Sequence, residues 1–225
     1  MRSRFRYLDQ GQCSWIRDWW RAMQPPTTED KDVPFDLRAL GRADRAKCKR
    51  CTSLEELELE LAPNLLAAHF AAPAQEQEIW LQKWLQGNYD ALFLLAGVLV
   101  HVTDDLHENP KLAGRSLVFC LGNAQLKAGD TPAMSELRFK RLLRATDSED
   151  FFRQTRRAVQ LSKGKADVAV LAYDLLAWSI ERDQHESASK PRESLKFRWA
   201  RDYYLTTKEQ SSSSSNTTSD NASEL

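Results

Sequence analysis

The stretch Tyr89–Val102 most constrains what this chain can become. It is apolar nearly all round, so as a helix it has no solvated face and belongs at the centre of a core. Its longest apolar run, Ala91 to Val102, is too short to cross a bilayer, which takes ~20 residues. A buried helix needs partners, and the flanking sequence supplies them. Trp15, Ile16, Trp19 and Trp20 share one face of a helix over residues 12–23, ended by Pro25-Pro26. Three tryptophans so close can stack on bases, but the reading taken is core. Ser53 and Glu56 have capping-box spacing and open a short acidic helix that Pro63 closes. Further helices are predicted over 65–70, 76–85, 117–121, 135–145 and 148–162. Asp167 caps another, with Val168, Leu171, Leu175 and Trp178 on one stripe, and the last spans 192–205. No stretch alternates convincingly with period two. The fold class is all-α, as two small helical bundles joined by a short hinge. The N-terminal bundle is 1–125 and the C-terminal bundle 126–207, with the hinge at Gly122–Pro132. The serine-rich tail, 208–225, buries too little apolar surface to fold and is expected to be disordered.

Lysine plus arginine and aspartate plus glutamate each number 32, so the net charge is zero. A role in binding a polyanion must then rest on where the charges lie. They are segregated. Acids cluster at 55–60 and 104–108, and bases at 38–50, 138–165 and 190–201. Read as one helix capped by Asp36, residues 36–51 put Arg38, Arg42, Arg45 and Lys49 in one line, at steps of four, three and four. Leu37, Leu40, Gly41 and Cys48 fall on a neighbouring face. Like charges at these steps repel by a few tenths of a kcal/mol per pair, roughly, and a phosphate backbone turns that repulsion into binding. A solvated surface face fits this stretch equally well. In the second half, Phe139, Leu142 and Leu143 face one way and Lys140, Arg141 and Arg144 another. The helix after it carries Arg153, Arg156 and Arg157. Aromatics and cations interleave in the last helix, where Trp199 and Tyr203 are read as core.

No catalytic motif, nucleotide-binding glycine loop or cofactor signature is present. Cys48 and Cys51 form a lone C-x-x-C without the second pair that a zinc site needs, and Cys13 and Cys120 read as small buried apolar residues. His101, Asp104, Asp105 and His107 are of metal-binding types. On a helix, however, the two histidines point about 240° apart, so a solvated helix end is preferred to a metal-dependent hydrolase. The basic N-terminus is not followed by an apolar run, so neither a secretory signal nor a membrane partner is expected, and the chain reads as cytoplasmic.

Several segments in order carry a resemblance: the early tryptophan helix, then 39–50, 135–147, Arg156-Arg157, 163–165, 174–178 and 198–204. Over roughly residues 12–207 the chain resembles the CasB family, the small subunit of the type I-E CRISPR Cascade complex. The resemblance implies an all-α, non-catalytic antiviral-defence subunit without cofactors, present as a pair. Its implied partners are the other Cascade subunits, the guide RNA, and target DNA including the displaced single strand, whose R-loop it would stabilise. Matched by position, the basic residues that the family implies are Arg50, Arg138, Arg144, Arg156 and Arg157. The charge pattern adds Arg38, Arg42, Arg45, Lys49 and Arg141. The rival reading from another class is a free-standing helical nucleic-acid-binding regulator.

Overall fold

The computed structural model of the chain describes residues 7–25, 33–72, 79–122, 131–183 and 194–213. Its centre is α6 (Tyr89–Leu99), in which every residue from Ala91 to Leu99 is buried. Around it lie α3 (Leu54–Glu58), α4 (Leu61–Ala71), α9 (Ser148–Leu161) and α10 (Val168–Asp183). The apolar run thus finds the surroundings that its composition demands. Gly97 makes the fit possible. A Cβ at that position would collide with the Leu57 side chain and lie 2.8 Å from Phe152 Cε2, so only glycine lets α3 and α9 approach α6 this closely.

α1 (Gln10–Ala22) starts at an Asp9–Gln12 capping box and packs on α10. Its tryptophan stripe is core. Trp19 and Trp20 are buried and their indole N–H groups donate to the carbonyls of Ala62, at 2.9 Å, and Val102, at 3.0 Å. Trp15 lies half-buried, stacked on His69 at 3.7 Å between ring centres. Pro63 does not close the acidic helix. It sits in the first turn of α4, where a missing N–H costs nothing because such groups have no partner inside the helix. α5 (Ile79–Gly87) joins α4 to α6.

The segment after α6 is not a helix end. Asp104–Asp105 (β1) pairs in parallel with Lys165–Ala166 (β2), with Asp104 opposite Lys165. Two residues are too few for a period-two pattern, so this pairing leaves no trace in the sequence. It depends on a left-handed turn at Lys163 and Gly164 (φ +57° and +76°), which brings the Gly164 carbonyl onto the Thr103 N–H at 2.8 Å. The chain continues through α7 (Leu117–Gly122), α8 (Glu136–Leu143), α9, α10 and α11 (Leu195–Ser213). α2 (Arg42–Arg50) lies between α1 and α3 in the chain and packs on α4 and α6.

The molecule is all-α apart from the two-residue strand pair. Buried apolar side chains from both halves form one continuous cluster, since α6 touches α4 on one side and α9 and α10 on the other. Most of the expected hinge, 123–130, lies outside the described residues, as do 214–225 of the tail. α11 runs past Lys208, where the tail was expected to begin, because a helix already nucleated adds a hydrogen bond for each residue it extends. No helix among the described residues is long and apolar enough to cross a membrane.

Candidate nucleic-acid interface

The basic stretch 36–51 is not one helix. Phe35–Leu37 form a 3-10 turn, the chain bends at 38–41, and only Arg42–Arg50 are α-helical. Leu40 is buried, and the Gly41 N–H donates to the Asp44 carboxylate at 3.1 Å, so the helix is capped at Gly41 and not at Asp36. Arg38 therefore leaves the line it was expected to share. Its guanidinium lies 5.7 Å from the centre of the exposed Phe35 ring.

Two of the remaining cations turn inward. Arg45 donates from Nε to the Val100 carbonyl at 2.9 Å and from Nη2 to the Val102 carbonyl at 2.8 Å, supplying partners where α6 ends. Arg156 does the same for α2, donating to Cys51 O at 2.7 Å and Lys49 O at 3.4 Å. Lys49 is half-buried at the same junction, and burial, then Arg45, lower its pKa. His101 stands among them. Burial, then Arg156, Lys49 and Arg45, push its imidazole down to about 4, and its buried Nε2 has no hydrogen-bond partner among the described residues. Arg42 and Arg50 point to solvent, and their side chains make no ion pair or hydrogen bond among the described residues.

Arg138, Arg141 and Arg157 are brought together. α8 packs on α9, and between them runs a groove of about 440 Å³. Arg138 and Arg141 line it from α8. Gln154, Arg157, Gln160 and Leu161 line it from α9, over a floor that includes Met134, Leu142 and Ala158. The three arginines are exposed and none makes an ion pair or hydrogen bond among the described residues, nor does a carboxylate line the groove. Arg144 is exposed at the C-terminal cap of α8, outside the lining. The adjacent Arg156 and Arg157 diverge because successive helix residues lie 100° apart, so one reaches α2 and the other α8. Gln154, Gln160 and Leu161 were missed in the sequence. Their spacings of minus three, plus three and plus four from Arg157 put them on its face of α9, and that was the available signal. A larger recess of about 540 Å³ includes Glu58 and Asp90 in its lining and so has the wrong sign for a polyanion.

The metal-type residues do not converge. Asp105 accepts the Val168 N–H at 3.0 Å and pairs with Arg17 at 3.5 Å, while Asp104 pairs with Lys165 at 3.6 Å. Arg17 also reaches Asp167, at 3.4 Å, and His107 Nδ1, at 3.0 Å. These contacts tie α1 to the start of α10, where Asp167 is the cap, receiving the Val170 N–H at 3.2 Å. The described residues hold no group of three or more His, Cys, Asp or Glu placed to hold a metal ion. All four cysteines are free thiols. Burial pushes Cys48 up to about 12 and Cys13 and Cys120 up to about 11, although Cys120 is only half-buried by surface area. In the last helix, Trp199 and Tyr203 are core, with the Trp199 indole N–H donating to Asp174 at 2.8 Å.

Fold and surface define a class: an all-α protein with three exposed arginines gathered along a groove between two packed helices. The family model of the CRISPR-associated protein Cse2 matches residues 44–204. The chain belongs to this family, which is that of CasB, the small subunit of Cascade. Comparisons with curated proteins and with solved structures gave no match.

Proposed function

We propose that this chain serves a type I-E Cascade complex as a non-catalytic strand-holding subunit in the cytoplasm. It works as a pair, contacting the guide RNA and the backbone of target DNA, and it stabilises the R-loop by holding the displaced strand. The observation that carries this reading is the α8–α9 groove, where among the described residues Arg138, Arg141 and Arg157 stand unpaired and no carboxylate joins the lining. Arg144, Arg42 and Arg50 are further exposed cations outside the groove, whereas Arg45 and Arg156 hold the α2–α6–α9 junction together, with Lys49 half-buried beside them. Guanidinium groups on rigid helices contact phosphates and carry no sequence information, which suits a subunit that must accept any target. R-loop formation exchanges one duplex for another of similar stability, so modest contacts with the backbone decide the balance.

The test is reconstitution. The protein is mixed with a guide-RNA-loaded complex lacking its small subunit, and copies bound and R-loop lifetime are measured. Two copies and a longer lifetime are expected. Incorporation with an unchanged lifetime would leave a scaffold only. No incorporation, with tight and site-selective DNA binding by the free protein, would favour an independent regulator.

A further inference from the structure

The α8–α9 groove has a property that phosphate binding does not require. Phosphates are held by cations on an open surface, and neither a recess nor an apolar wall is needed. Here Leu161 stands half-buried at the side of a recess whose arginines bring methylene stems as well as charge, while Met134, Leu142 and Ala158 beneath are almost fully buried and only close its bottom. Arg138 and Arg141 stand three apart on one face of α8, and Arg157 faces them from α9. The ligand that matches both parts carries an anionic group for the arginines and a flat body that fits between Leu161 and the guanidinium planes. Its size is bounded by the volume of about 440 Å³, within the range of roughly 300–1,000 Å³ typical of small-ligand sites.

We propose that this groove seats the unstacked base of a nucleotide in single-stranded nucleic acid, its flanking phosphates held by Arg138, Arg141 and Arg157. The proposal deepens the strand-binding reading and rests on it. A base lies flat on apolar atoms and against guanidinium planes whatever its identity, so the seat is tolerant of sequence. Gln154 donates from Nε2 to Asp150 at 3.1 Å, which leaves its carbonyl oxygen as an acceptor for a base edge, and Gln160 offers a second amide. A duplex keeps its bases stacked and must be opened at a cost of a few kcal/mol per base, roughly, whereas a single strand presents them at little cost. The groove therefore prefers a single strand through its bases as well as through backbone charge.

The experiment uses the full chain at low salt with single-stranded oligonucleotides of one length, deoxy and ribo, each carrying bases or an abasic backbone. The base-bearing strand should bind about 5- to 10-fold tighter than its abasic counterpart. A 2-aminopurine within the strand should brighten on binding as it leaves its stack. Leu161→Ala, which takes away the accessible apolar side chain and leaves every arginine in place, should reduce the preference while leaving abasic affinity unchanged, with a melting curve to verify that the fold is kept. Preference confined to the deoxy strand would assign the seat to target or displaced DNA, and confined to the ribo strand to the guide. Equal affinity for base-bearing and abasic strands would overturn the base seat and leave the phosphate contacts standing. No binding of either strand would overturn the strand-binding reading itself.

Discussion

Burial and three neighbouring cations hold the His101 imidazole neutral down to about pH 4. In an unfolded chain the same group titrates near 6.5. Between these values the unfolded state takes up a proton that the folded state refuses, so stability falls as the pH drops from 6.5 to 4. At 1.36 kcal/mol per unit, and reduced for solvent screening at a half-buried site, the loss is ~2 kcal/mol. His101→Gln should flatten this part of the stability–pH curve in urea melts. Parallel curves for the two proteins would mean that the imidazole is not held neutral. Residue types alone could not reveal this arrangement. In the sequence His101 falls with Asp104, Asp105 and His107, its near neighbours along the chain. In the fold its neighbours are Arg45, Lys49 and Arg156, from helices far away in sequence.

At the scale of elements, α6 shows how composition and packing divide the work. Its apolar composition announces a buried helix, while the single glycine within it decides how near its neighbours come. Gly97→Ala would gain up to ~1 kcal/mol of helix propensity. Against that, the new methyl would meet Leu57 and Phe152, both fully buried and unable to move into solvent. Overpacking of this kind costs about 1–3 kcal/mol, so a net loss of roughly 1 kcal/mol is expected in thermal or denaturant melts. An unchanged or raised midpoint would show that α3 and α9 can separate from α6 at no cost. The basic segment 36–51 is the complementary case. Its charge spacing reads as one continuous helix, yet the buried Leu40 and the Gly41–Asp44 contact set the start of α2 at Arg42, so Arg38 falls outside it.

Zero net charge of the sequence coexists with a groove of one sign, since among the described residues acids such as Glu58 and Asp90 line a different recess and Asp104, Asp105 and Asp167 are held in ion pairs. Binding of a single strand should accordingly depend steeply on salt. Each of Arg138→Ala, Arg141→Ala and Arg157→Ala should lower the slope of log affinity against log salt by about 0.7, with little change in melting temperature. Arg156→Ala should do the opposite, lowering the melting temperature because the carbonyls at the end of α2 lose their donor, with little change in slope. Equal behaviour of Arg156→Ala and Arg157→Ala in both measurements would contradict the division of labour along α9. The sequence by itself determined the all-α class, the central apolar helix, the caps at Ser53 and Asp167, and the family. Those features depend on periodicity and local hydrogen bonding, which a short window of residues records. Only the tertiary structure decided which arginines are free and which support the fold, and that β1 meets β2. Those outcomes depend on groups distant in the chain, whose meeting no local pattern encodes.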